Sequence, residues 1–150
     1  MNMNTLHNVF LASIITALST FGSVAQGAED GNSSAELPDL NGTNWQLVRL
    51  TVLGGFVFTP EDPSKYVINF RSENRLTGAS DCNTLRGSWH QVDSALNFEP
   101  FSSSRKLCSP GSLHNNLVLY LRDTVTFEIV DGNMIVNTTT EGVAIEFEVR

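Results

Sequence analysis

The sequence predicts a mainly antiparallel β domain of the α+β class, with about eight short strands and one helix in a curled sheet or partly closed barrel. Two observations predict this class. Short segments in which apolar and polar residues alternate recur from residue 44 to the C-terminus, separated by Gly, Pro, Asn and Asp. Most connections between them are too short for parallel crossovers, which favours antiparallel pairing. A curled sheet with the helix over one opening would also protect the strand edges.

The strands of the first half are predicted from alternation and from the turn residues between them. Trp45 and Leu47 share one face of a strand from Asn44 to Val52, which Gly54-Gly55 ends. Pro60 and Pro63 cannot donate to a sheet ladder, so residues 59–64 are predicted to be a loop. Further strands are expected at residues 66–70, 75–79, 86–92 and 95–99.

One segment has helical rather than alternating spacing. Leu113, Leu117, Tyr120 and Leu121 recur at i, i+4, i+7 and i+8, so they share one helix face. Ser109 or Ser112 is expected to cap this helix, which should end near residues 123–124.

The C-terminal segment has the clearest strand pattern. Val125, Phe127 and Ile129 alternate with polar residues, and Asp131-Gly132 is typical of a tight hairpin turn. Strands are also expected at residues 134–137 and 143–149, the last with one charged and one apolar face.

Composition bounds the domain count and the class of partner. The chain has 150 residues, of which 41% are hydrophobic, and this is enough for one domain with its own core. Its net charge of -7 disfavours binding to phosphate backbones, so no nucleic-acid partner is expected. The nearest basic feature, Arg105-Lys106, is expected to be a solvated loop.

The N-terminus has the pattern of an export signal. The apolar stretch at residues 9–18 is followed by Ser23-Val24-Ala25, which predicts a signal peptide at residues 1–25. An uncleaved apolar helix is the alternative. Because no cysteine is available there for acylation, we expect no stable membrane anchor after signal cleavage. Residues 26–39 are predicted to be a flexible tether and residues 40–150 the domain. The expected location is periplasmic or secreted.

The chain has two cysteines, Cys82 and Cys108, and in an exported protein such a pair favours a disulfide bond. A redox-active pair is the first alternative, although the cysteines are far apart in sequence for one. A zinc site of Cys82, His90, Cys108 and His114 is the second, but these spacings match no known ligand motif. We expect no metal and no cofactor.

Catalytic patterns are weak in this sequence, and we expect a domain that is not an enzyme. It has no G-x-S-x-G motif, and the serines at 102–104 lie in a loop without a sign of activation. His90 and His114 are the histidines available as bases after cleavage, and both are expected at the surface.

Three segments carry a resemblance to a known family. Residues 40–47 resemble the opening L-x-G-T-x-W-x-L of META domains, the family of the bacterial heat-inducible HslJ proteins. Residues 76–89, with Cys82-Asn83 and Gly87, are similar to the central G-x-x-G-C-N-x-x-x-G motif of that family. Residues 96–108 resemble the segment that ends in its second cysteine. The resemblance covers about residues 40–150. It implies a small exported β-rich domain associated with stress response, envelope integrity, or secretion and virulence.

These observations together predict a binding function outside the cytoplasm, with an unknown protein or small ligand as the partner. The expected contact surface comprises Asn83, Arg86, Trp89, Arg105 and Lys106, with the loop at residues 100–107. The other interpretation of these residues is that they only pack the fold, and a tryptophan such as Trp89 is more often in the core than in a contact surface. The alternative is a secreted inhibitor or effector that displays a rigid loop, either residues 60–64 or residues 101–108, against a target enzyme.

Overall fold

The computed structural model describes residues 37–150, which form a curled half-barrel sheet of 11 antiparallel strands with one α-helix. The bounds are β1 Asn44–Val52, β2 Phe56–Phe58, β3 Tyr66–Arg71, β4 Arg75–Ser80, β5 Asn83–Ser88, β6 His90–Val92, β7 Ala95–Asn97, β8 Phe101–Ser103, α1 His114–Arg122, β9 Thr124–Val130, β10 Asn133–Thr138 and β11 Ala144–Val149. A short 3-10 turn covers Pro63–Lys65. The predicted fold class is therefore confirmed.

The sheet order joins the two ends of the domain. Along the sheet the strands follow β6-β7-β9-β10-β11-β1-β3-β4-β5-β8, with β2 paired to β1 beside this path. β1 therefore pairs with the last strand on one side and with β2 and β3 on the other. The core is formed by the inward faces of these strands and by the apolar face of α1. Phe70 lies within it, with its ring centroid 5.2 Å from that of Trp89 in an edge-to-face arrangement.

The structure has more strands than the pattern predicted, for two local reasons. The predicted strand at residues 86–92 is two strands, because Trp89 leaves the ladder and its backbone N–H donates to the Asn74 carbonyl oxygen. β2 and β8 have three residues each, which is too short for alternation to reveal them.

One apolar residue of the alternating pattern in β9 does not face the core. Thr124 is buried and Val125 is exposed, because the register between β9 and β10 shifts at Asn137–Thr138. The turn at Asp131-Gly132 is as predicted, with positive φ at both residues.

The helix is close to its predicted bounds. Leu113 occupies the N-cap position, where a serine was expected, and the Ser112 hydroxyl accepts from the His114 N–H. α1 has nine residues, and no helix in the described part of the chain has the length and apolar character needed to cross a bilayer.

The predicted signal peptide and residues 26–36 of the predicted tether lie outside the described residues. The end of the tether is held on the domain. Leu37 packs against the core, and the Gln91 side chain donates to the Pro38 carbonyl and accepts from the Leu40 N–H. The ordered domain thus includes residues 37–39, which the sequence had placed in the tether.

Candidate functional site

The cysteine pair links two loops covalently at one end of the sheet. Cys82 lies in the turn between β4 and β5, which Asp81 enters with a φ of 54°. Cys108 lies in the long loop that precedes α1, and the two sulfurs are bonded, with the Cα atoms 5.5 Å apart. The predicted disulfide is present in the structure.

The Asn83 side chain holds the same loop by hydrogen bonds. Its side-chain oxygen accepts from the Ser104 hydroxyl at 2.8 Å and from the Lys106 N–H at 2.7 Å. Its side-chain nitrogen donates to the Lys106 carbonyl oxygen at 3.1 Å and lies 3.2 Å from the Cys108 sulfur. Because one buried side chain satisfies several loop groups, the sequence Cys82-Asn83 fixes the loop both covalently and by hydrogen bonds.

The three side chains at the tip of this loop point into solvent. We call Arg105, Lys106 and Leu107 the basic tip. All three are exposed, and Leu107 is 101% exposed. The backbone that carries these side chains is held on one side by Asn83 and on the other by the disulfide at Cys108.

Three residues of the predicted contact surface are exposed and two are buried. Arg86 is exposed on β5, opposite Ser102 of β8, and Arg105 and Lys106 are exposed in the basic tip. Asn83 is 1% exposed and Trp89 is 5% exposed, so neither is available to a partner in this structure. Trp89 packs in the core, and its indole N–H donates to the Arg71 carbonyl oxygen. Both side chains pack within the fold, as the second interpretation of these residues predicted.

A groove of ≈ 320 Å³ separates the basic tip from α1. It is lined by the tip and by His114, Asn115 and Val118. His114 is 9% exposed, which corrects the expectation of a surface histidine, whereas His90 is exposed as expected. Burial lowers the pKa of His114, against the opposing influence of the Asp81 carboxylate and the Ser80 backbone. Its Nδ1 has no hydrogen-bond partner among the described residues.

A second cleft, of ≈ 390 Å³, lies between the end of β2 and the loop that precedes α1. Its lining includes three carboxylates, from Glu61, Asp62 and Asp81, and among the described residues that line it Lys65 is the one cation. We call it the acidic cleft. The Ser64 hydroxyl donates to Asp62, and this hydrogen bond is the main cause of the lowered pKa of that carboxyl.

Sequence reasoning missed the acidic cleft. Residues 60–64 were considered only as a displayed loop. Asp81 is 19 positions beyond Asp62 in the chain, and no pattern in the sequence indicates that folding brings them together.

The disulfide limits the chemistry that Cys82 and Cys108 can perform. Ligand atoms of Asp81, Cys82 and Cys108 lie within 4.8 Å of one another, but a sulfur in a disulfide is not a thiolate ligand. Nearby hydroxyls are engaged with the fold. The Ser102 hydroxyl donates to the Arg86 carbonyl, and that of Ser104 donates to Asn83.

Solved structures share this fold. A protein from Burkholderia xenovorans, solved by NMR, matches with a TM-score of 0.61 and 20% identity over 80% of this chain and 96% of its own. The crystal structure of a DUF4847 family protein from Bacteroides vulgatus ATCC 8482 matches with a TM-score of 0.54 and 14% identity over 73% of this chain and 93% of its own.

A search of curated protein sequences found no match. The family model of the META domain matches residues 38–149, which include the disulfide, the Asn83 anchor and the whole sheet. This chain belongs to the META domain family.

Proposed function

We propose that this META domain is an exported, non-enzymatic binding module that contacts its partner through the basic tip. The observation that carries the proposal is the exposure of Arg105, Lys106 and Leu107 on a loop that a disulfide and Asn83 hold in place. Such a loop loses little conformational entropy on binding, because its backbone is ordered beforehand.

The chemistry of the tip indicates the kind of partner. Two cations project from a chain whose net charge is -7, so the tip would attract a surface with acidic groups. Leu107 lies beside them with its whole side chain in solvent, and it would gain most from an apolar recess in that surface. We expect a protein partner with carboxylates around an apolar pocket.

The exported location is supported by the disulfide and by the predicted signal peptide. Disulfides form and persist in oxidising compartments such as the periplasm and the extracellular space. A non-enzymatic role is supported by the engagement of both cysteines and of the Ser102 and Ser104 hydroxyls in the fold. Stress response, envelope integrity, and secretion or virulence are the processes proposed from the family resemblance.

The test is crosslinking of the purified protein to the extracytoplasmic fraction of its source cells, followed by identification of the captured proteins. A variant with Arg105→Glu and Lys106→Glu should lose the captured partner. The matched control is Arg71→Glu with Arg75→Glu, which makes the same charge change at exposed positions of the β3–β4 hairpin. Capture that is equal for wild type and the tip variant would refute the role of the basic tip, and no specific capture under any stress tested would refute the module.

A secreted inhibitor or effector is the second candidate. Full exposure of Leu107 on a doubly anchored loop favours it, since a protruding residue on a fixed backbone suits the groove of an enzyme. Accumulation in the culture supernatant, with inhibition of a target enzyme that a Leu107→Asp variant loses, would support this candidate. Retention in the periplasm would contradict it.

A further inference from the structure

The hairpin of β1 and β2 exposes four large apolar side chains that do not pack in the core. Its exposed fractions are 69% for Leu53, 68% for Phe56, 54% for Val57 and 39% for Phe58. Single exposed apolar residues are ordinary, but a contiguous group of large ones marks an interaction surface.

β2 also leaves one backbone edge available. It pairs with β1 over Phe56–Phe58, and the part of the chain that the structure describes contains no other strand paired with it. All three residues of β2 are exposed. The free N–H and C=O groups of such an edge can accept a further strand from another polypeptide.

The acidic cleft is continuous with this edge. Val57 and Phe58 line the cleft together with the three carboxylates and with Pro60 and Tyr66. A segment that paired with β2 would therefore place its next residues against Glu61, Asp62 and Asp81.

We infer that β2 and the acidic cleft bind an extended polypeptide segment in which basic and apolar residues alternate, and that this segment adds to β2 as a strand. Backbone hydrogen bonds to the β2 edge provide the pairing. The apolar side chains cover Phe56 and Phe58 on one face, and the basic side chains reach the carboxylates. The inference does not depend on the role of the basic tip, because the tip lines a separate groove and its charge is opposite to that of the carboxylates in the acidic cleft.

The charge of the cleft selects this occupant over others. An excess of carboxylates repels nucleic acids and the anionic headgroups of lipids, while it attracts lysine and arginine side chains. An alternating segment presents its basic residues on one face and its apolar residues on the other.

The probe is a capped six-residue peptide of alternating lysine and valine, titrated into the ¹⁵N-labelled protein and followed by NMR. We expect shifts in the amides of Phe56–Phe58 and of residues 61–65, and slower hydrogen exchange at β2. A peptide with glutamate in place of lysine should bind at least about tenfold more weakly. A peptide that is N-methylated along one backbone edge should also lose binding, and it tests strand addition without a change to the protein.

Protein variants separate the edge from the cleft. Val57→Pro removes an edge N–H, and Glu61→Lys reverses one cleft charge, so each should weaken binding about tenfold. The controls are Val92→Pro, which removes an N–H of the β6–β7 hairpin, and Glu128→Lys on β9. Both positions are exposed and lie away from the hairpin of β1 and β2, so both variants should bind as the wild type does.

Three outcomes would overturn the inference. The first is equal affinity for the lysine and glutamate peptides. The second is a set of shifts at Arg105–Leu107 with none at β2. The third is a shift of the β2 amides with protein concentration or with zwitterionic vesicles and not with peptide, which would assign the surface to a second copy or to a membrane.

Discussion

At the scale of single residues, the hydrogen bonds of the Asn83 side chain explain why an asparagine follows Cys82. An aliphatic side chain at this position would leave the Lys106 N–H and carbonyl without their partners beneath the loop. The glycines of the same motif are explained by the lack of space for a side chain. A methyl group at Gly78 would overlap the Val67 carbonyl oxygen, and one at Gly87 would overlap that of Pro100. These positions exclude side chains because neighbouring backbones approach too closely.

His114 gives the residue-scale prediction. Its pKa in the folded protein is below its usual value, so the folded state binds fewer protons than the unfolded chain near that pKa. The contribution of His114 to stability is therefore complete above the unfolded pKa of about 6.5 and is lost as the pH falls below it.

The free energy of unfolding, measured with urea at pH 7.5 and at pH 5.5, should fall more for the wild type than for His114→Gln. The carboxylates contribute to both proteins alike, so the difference isolates the histidine. His90→Gln, at an exposed position, should keep the wild-type dependence. Equal pH dependence of the wild type and His114→Gln would contradict the assignment.

At the scale of elements, the loop before α1 is organised by contacts that are distant in sequence. The disulfide joins residues 26 positions apart, and Asn83 contacts the loop across a similar separation. Residues 104–107 of this loop line the groove beside the basic tip, and residues 109–113 line the acidic cleft. Its position therefore governs both candidate surfaces.

Removal of the disulfide is the element-scale prediction. Cys82→Ser with Cys108→Ser should lower the free energy of unfolding by about 3–4 kcal/mol, because the unfolded chain regains the entropy of a loop of this length. Urea unfolding measures the change. The wild type in reductant should match the double variant, and reductant should leave the double variant unchanged. A double variant as stable as the oxidised wild type would refute the role of the bond.

At the scale of the whole molecule, the fold depends on pairing between the first and last strands. Phe147 of β11 pairs with Leu47 of β1 and with Met134 of β10, and all three side chains are fully buried. A change at position 147 therefore disturbs the packing against both neighbouring strands.

Phe147→Ala should destabilise the domain by about 3–5 kcal/mol, since it removes a buried ring and leaves a cavity. Phe56→Ala makes the same chemical change at an exposed position and should alter the free energy of unfolding by less than about 0.5 kcal/mol. Thermal or urea unfolding of the two variants measures both values. Similar losses for both would show that the hairpin, and not only the core, stabilises the molecule.

The sequence alone determined the class of fold, the helix, the main strands and the cysteine pair. Each of these is encoded locally, by a period of two, by helical spacing, by turn residues, or by the count of a reactive residue. The motif around Cys82-Asn83 also identified the family. Eight strands were expected where 11 are present, because three-residue strands and a break at Trp89 leave no periodic signal.

Only the tertiary structure decided which side chains are available to a partner. For Asn83 and Trp89 the sequence left open whether they contact a partner or pack the fold, and folding buries both. Nor could it show that Phe56–Phe58 stay exposed, or that Asp81 joins Glu61 and Asp62 in one cleft. Burial and charge clustering depend on pairing between distant strands, and a local pattern contains no information about which distant segments will meet.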